Sequence, residues 1–205
     1  MPNRDLLIAR DSPVASRRLG VLISGRGSNL KAIIDAINDG RLDASIALVI
    51  SNQADAPGLD HARRAGIETL VLGHQSYSSR EEFDRAMVQH LSGRGVTLVC
   101  LAGFMRRLSS AFVDAFPGRI LNIHPSLLPK YPGLHPQQQA LDDQAPVSGA
   151  TVHFVNKELD AGPIVLQREV PVVPGDTADK LAARILKVEH HLYPEAIRLV
   201  LDRSL

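Results

Sequence analysis

At 205 residues, 44% hydrophobic and 22% charged with a formal net charge of +1, the chain is long enough to bury the core of one large α/β domain. No basic block marks a nucleic-acid footprint, no apolar run approaches a membrane span, and the N-terminus lacks the apolar core of a secretion signal. The single cysteine, Cys100, excludes an internal disulfide and a multi-cysteine metal site and fits a reducing cytoplasm.

Residues 1–17 lack periodicity and read as a loosely ordered tail; residues 18–205 read as one domain. Leu19–Ser24 has the apolar run of a buried strand, followed by Gly25-Arg26-Gly27-Ser28-Asn29 and a helical pattern from Leu30 to Ile37. Ser45–Ile50 is a second strand. Asp55 is expected to cap the next helix, with Pro57 in its first turn and Gly66 at its end. Glu68–Leu72 is a short third strand. Ser79-Arg80-Glu81-Glu82 has capping-box spacing and opens a helix running to about Ser92. Val96–Leu101 is a fourth strand with Cys100 as an inert core thiol, and a helix around Ser109–Ala115 leads to a fifth strand at Ile120.

This alternation predicts a doubly wound, mainly parallel, Rossmann-like sheet. Beyond the fifth strand the pattern changes. Pro125, Pro129, Pro132 and Pro136 predict a stiff, extended loop without regular structure. Ala150–Val155 and Ile164–Val172 follow with no helix between them, which predicts an antiparallel pair added to one edge of the sheet. Asp176 is expected to cap a long helix reaching about Asp202, with a break or kink at Pro194. The domain thus reads as two halves, residues 18–101 and 102–205.

Two stretches carry chemistry. Ser24–Asn29 joins a parallel strand to a helix, where free N–H groups attract an anion. Leu30 stands where a dinucleotide fingerprint needs its third glycine, and no Walker lysine follows, so a single phosphate monoester is preferred over a plain turn. Asn122 and His124, two apart on a strand, share a face and are suited to holding a developing oxyanion. Asp160, if its Gly/Pro-rich loop returns to His124, would favour the imidazolium and raise its pKa. His153, on a predicted strand, reads as structural rather than catalytic. Histidines 190 and 191 diverge on a helix, and no metal-ligand spacing occurs, so no metal is expected.

Gly25-Arg26-Gly27-Ser28-Asn29-Leu30, Leu101-Ala102-Gly103-Phe104-Met105-Arg106, the run Leu121–His135 with its Asn-x-His-Pro-Ser-Leu-Leu-Pro core, and Val152–Val155 with Leu159–Pro163 closely resemble the phosphoribosylglycinamide formyltransferase family. The resemblance extends from about Arg18 to the final helix and implies a phosphate- or nucleotide-binding half at 18–101 and a catalytic and folate-binding half at 102–205. It implies the formyltransferase fold, and formyl transfer from 10-formyltetrahydrofolate to the glycinamide amine of the ribonucleotide in purine synthesis. It also implies a cytoplasmic enzyme of small-molecule substrates without nucleic-acid or membrane partners, monomeric or homodimeric. The catalytic trio it implies is Asn122, His124 and Asp160. Phosphate contacts fall on Gly27, Ser28 and Asn29, and ribose contacts on Leu186, Lys187, Val188 and Glu189. The folate side falls on Arg80, on Met105, Arg106, Arg107 and Leu108, and on Asn156, Lys157, Glu158, Leu159 and Asp160, with Asn122 shared. Gln137 departs from a histidine often found there in the family.

Other readings stand beside this one. A methionyl-tRNA formyltransferase would need a further basic domain. A formyltetrahydrofolate hydrolase would release formate without the ribonucleotide. A nucleotide-binding module or Rossmann oxidoreductase would not transfer formyl at all, and a dead binder would keep the cavities without turnover.

Overall fold

The computed structural model describes residues 17–203. The predicted tail therefore lies, apart from Arg17, outside the described residues. Seven strands form one sheet in the order β3-β2-β1-β4-β5-β6-β7. These are β1 (Arg18–Ile23), β2 (Ser45–Ser51), β3 (Thr69–Val71), β4 (Leu98–Leu101), β5 (Ile120–His124), β6 (Val147–Phe154) and β7 (Ile164–Pro171). The first five are parallel, while β6 runs antiparallel to β5 and β7 antiparallel to β6, so the expected sheet and its edge pair are both present.

Residues of β1 alternate between two cores. Leu19, Val21 and Ile23 pack with α1 (Ser28–Asn38), α2 (Gly58–Arg64) and α6 (Ala178–Arg203), whereas Leu22 joins Phe83, Met87 and Leu91 of α3 (Arg80–Ser92) and Phe112 of α4 (Ser110–Ala115). Helices on both faces explain why the parallel strands read as continuous apolar runs rather than alternating ones. The chain order reverses between β1 and β4, so the loops leaving their carboxyl ends splay apart and open a crevice.

Several boundaries differ from the sequence reading, each for a local reason. Pro136 does not end the irregular loop but begins a helix, α5 (Pro136–Asp142), because a proline fits the first helical turn, where its missing N–H has no partner to lose. The second helix starts at Gly58 with Pro57 at its cap position, so Asp55 does not cap it. Ser79 does accept from Glu82 N (3.1 Å), but the Glu82 carboxylate accepts from Ser78 N (2.8 Å) and Ser78 Oγ rather than closing a reciprocal box. The sixth strand starts at Val147, three residues before the apolar run, because its ladder with β7 extends to Pro171.

Pro194 neither breaks nor ends α6, which is 26 residues long. The adjacent Tyr193, fully buried, directs its hydroxyl at the Leu101 and Leu121 carbonyls, both at 3.0 Å, and so fastens this helix across β4 and β5. Burial pushes the nearby Cys100 thiol up to about 12, which leaves it inert as a nucleophile.

Asp176 likewise has a different task from the one expected. Thr177 Oγ1 accepts from Lys180 N (3.3 Å) at the start of α6, while Asp176 pairs with both ends of the Arg184 guanidinium at 2.8 Å. That guanidinium holds the Asp176 carboxyl down at about 2, below its ordinary 3.8. Because the folded value is the lower one, the stabilisation is complete above pH 3.8 and is lost as pH falls toward 2. Asp176→Asn should therefore lower the melting temperature at pH 6, and the gap to the unmodified protein should close as pH falls below 3.8. A gap that stays constant down to pH 2 would remove the ion pair as its cause.

Candidate active site

The end of β5 and the proline loop are built as one rigid unit. Ser126 Oγ donates to the Lys130 carbonyl (2.6 Å), and Thr151 Oγ1 donates to the Ser126 carbonyl (2.6 Å) while accepting from Leu128 N (3.0 Å). Gln167 of β7 donates to both the Leu128 carbonyl (2.7 Å) and Thr151 Oγ1 (2.9 Å). Two strands thus hold a loop whose prolines have already removed much of its conformational freedom.

Asn122 and His124 share a face of β5, and Asp160 comes to them from the loop between β6 and β7. Its carboxylate lies 3.6 Å from His124 Nδ1 and accepts from Gly133 N at 2.8 Å, so one side chain faces the imidazole and anchors the proline loop. Asp160 adopts a left-handed φ of 50°. The turn behind it is so tight that a Cβ on Gly162 would stand 1.7 Å from the Phe154 carbonyl oxygen. His124 is only 6% exposed. Its Nε2 lies 2.9 Å from the Tyr131 carbonyl, an acceptor, which assigns a hydrogen to that nitrogen. At 3.6 Å from the Asp160 carboxylate, Nδ1 is close enough for ion pairing by an imidazolium but outside hydrogen-bond range, so in the imidazolium form its hydrogen is left for a group in the cavity.

His153, expected from its place on a strand to be structural, lines the same cavity. The β5–β6 register places it directly opposite Asn122. Its Nδ1 lies 2.9 Å from the Phe154 carbonyl and takes the donor role, so Nε2 is left to accept from Asn122 Nδ2 at 3.2 Å. Burial lowers its pKa, against the pull of the Phe154 carbonyl and Asp160, which keeps the imidazole neutral and able to accept. One amide hydrogen of Asn122 is thereby tied to His153 and the other is aimed elsewhere. No single-strand motif signals this; only the antiparallel register does. His153→Phe should keep the ring volume, remove the acceptor and cut turnover by about tenfold, the equivalent of one net hydrogen bond. Equal turnover at equal melting temperature would return His153 to a purely structural part.

A cavity of ≈ 500 Å³ opens onto Asn122, His124, His153 and Asp160, a size suited to a small-molecule ligand. The Met105–Leu108 and 156–160 segments line it, as predicted positions. Arg80 does not; it is exposed at the start of α3 and pairs with Glu81 at 3.6 Å. A second cavity of ≈ 700 Å³ is lined by the Ser24–Asn29 loop with Leu186 and Glu189 of α6. Lys187 and Val188 lie outside it, because on a helix these two positions turn away from a face that holds 186 and 189.

The Ser24–Asn29 loop fits close anion binding. Gly27 has φ 68° at the N-cap of α1, and a Cβ there would meet Gly58 Cα at 2.5 Å. Asn29 Nδ2 donates to Glu189 Oε2 at 2.7 Å across the floor of the cavity. Burial raises the Glu189 pKa, against the lowering effect of Asn29. The two cavities meet at a common wall formed by Gly103, Met105, Ile123, Pro125 and Gln137. Among the described residues no group of three or more His, Cys, Asp or Glu is arranged to hold a metal ion, and no helix is long and apolar enough to cross a membrane.

Comparison with known proteins bears on this arrangement. A formyl transferase family model matches residues 17–197. The trifunctional purine biosynthetic protein adenosine-3 of Drosophila melanogaster is 47% identical over 98% of this chain, which spans only 15% of that protein. The human protein of the same name is 50% identical, with 89% of this chain matched to 18% of it. The phosphoribosylglycinamide formyltransferase of Escherichia coli is 50% identical over 90% of this chain and 87% of its own length. The crystal structure of glycinamide ribonucleotide transformylase 1 from Symbiobacterium toebii superposes with a TM-score of 0.90 at 53% identity, covering 92% of this chain and 89% of that one.

Proposed function

Since this chain belongs to the formyl transferase family, and within it to the phosphoribosylglycinamide formyltransferases, we propose that it transfers a formyl group from 10-formyltetrahydrofolate to the glycinamide amine of 5'-phosphoribosylglycinamide in cytoplasmic purine synthesis. The observation that carries this reading is the meeting of two cavities at one strand end: Asn122 and His124 line one of them, while Ile123 and Pro125 line both. Two small molecules can thus be held with their reacting groups side by side, which supplies much of the catalysis of a bimolecular transfer.

The folate occupies the cavity lined by Met105–Leu108 and 156–160. The ribonucleotide occupies the other, with its phosphate on the backbone N–H groups of Gly27, Ser28 and Asn29 and its ribose toward Leu186 and Glu189. The amine attacks the formyl carbon. Negative charge gathers on the formyl oxygen, where the free amide hydrogen of Asn122 and the Nδ1–H of His124 receive it. A His124 imidazolium has the Tyr131 carbonyl on one nitrogen and the Asp160 carboxylate beside the other. The tetrahedral intermediate collapses by breaking the bond to the folate nitrogen. The proton lost by the amine passes to that nitrogen through a water ordered by Asp160.

The test is formyl transfer by purified protein with both substrates. Folate product that forms only when the ribonucleotide is present supports the transferase. Folate product and formate formed without it would identify a hydrolase on the same scaffold.

A further inference from the structure

Ser24 is the first residue after β1 and lines the ribonucleotide-side cavity but not the folate-side one. Its hydrogen bonds nevertheless reach across to the wall that the two cavities share. Ser24 N donates to the Gly103 carbonyl (3.1 Å), and Met105 N donates to Ser24 Oγ (2.9 Å). One residue thereby grips a three-residue segment at both ends. Ser24 Oγ in turn donates to Asn52 Oδ1 at 2.6 Å, and Asn52, just beyond β2, is 5% exposed. The hydroxyl is therefore oriented by a buried partner and presents its lone pair to Met105 N.

The gripped segment needs such a hold. Gly103 has a φ of 78°, Phe104 is buried in the core, and the Met105 side chain is 72% exposed, so little packing defines where residue 105 sits. Met105 begins the Met105–Leu108 stretch that lines the folate-side cavity. On its other side Ser24 leads straight into the phosphate loop, which is itself held where Gly58 N donates to the Gly25 carbonyl (3.0 Å).

We infer that Ser24 is a positioning residue that sets the folate-side wall from within the ribonucleotide-side loop, through its hydroxyl alone. The inference rests on the substrate assignment proposed above. It assigns to Ser24 no contact with reacting atoms; its effect passes through the amide of Met105.

Ser24→Ala keeps the backbone bond to Gly103 and removes only the hydroxyl. The expected result is a KM for 10-formyltetrahydrofolate raised about tenfold, the equivalent of one net hydrogen bond, with the ribonucleotide KM within about twofold. Hydrogen exchange at the Met105 amide should accelerate, since its acceptor is gone, and Ser24→Thr, which retains an oxygen at the same place, should restore both readouts. Should the alanine variant not fold, Ser24→Cys takes its place with the same expectation, its sulfur being a weak acceptor of similar size. A folate KM within twofold of the unmodified protein, or a rise of both KM values together, would overturn the inference. So would faster Met105 exchange without any change in folate KM. Unmodified protein that neither transfers formyl nor binds tetrahydrofolate would overturn the substrate assignment itself, and this inference with it.

Discussion

Asn122→Ala and His124→Ala should each lower kcat for formyl transfer by ~10²–10³, the usual cost of removing one oxyanion donor. Both donors act on the same developing charge, so their losses should not multiply: the double variant should fall far short of the product of the two. Ribonucleotide affinity should change little, since neither group contributes to the phosphate loop, and the ribonucleotide KM is the internal control. The physical basis is preorganisation. The Asn122 amide is held by His153, and the His124 ring is held through Nε2 by the Tyr131 carbonyl, so neither donor must be ordered when the charge appears. Steady-state rates that fall less than tenfold in both single variants would show that the oxyanion forms elsewhere.

Asp160 offers a sharper separation of roles, because it performs two tasks with one carboxylate. Asp160→Asn keeps an oxygen able to accept from Gly133 N but removes the charge beside His124. Turnover should fall by ~10², the lower end of what a positioned acid–base partner supplies, while the Gly133 amide stays protected from hydrogen exchange. Asp160→Ala removes the acceptor as well. Turnover should fall further, and the Gly133 amide should exchange freely as the proline loop loses its tie to the 156–160 segment. If the asparagine variant frees Gly133 as readily as the alanine variant does, the charge rather than the hydrogen bond holds the loop. Full activity in the asparagine variant would end the case for an ionic partner to His124.

Fold and site were legible from the chain to different depths. The continuous apolar runs of β1–β5 and the helical spacings between them announced a parallel sheet, because strands covered on both faces must be apolar throughout. The shared face of Asn122 and His124 was visible as well, since two residues two apart on a strand point the same way whatever surrounds them. Turn chemistry was legible only in part. Asp55 and Asp176 both lie too early to cap, since Pro57 and Thr177 hold the positions just before their helices, and the Asp176 carboxylate pairs with Arg184 instead.

Local order along the chain thus settled the strands, the tight strand-to-helix turn at Gly27 and the shared face of Asn122 and His124, all of which follow from periodicity and backbone sterics. What lay beyond its reach was every relation across the sheet. His153 joined the site because antiparallel pairing set it opposite Asn122, thirty-one residues away. Arg80, exposed at the start of α3, and Lys187, turned from the face of α6 that holds Leu186 and Glu189, lie outside the two cavities. Periodicity acts over a few residues, whereas register and packing direction are decided by how whole elements bury their apolar faces against one another.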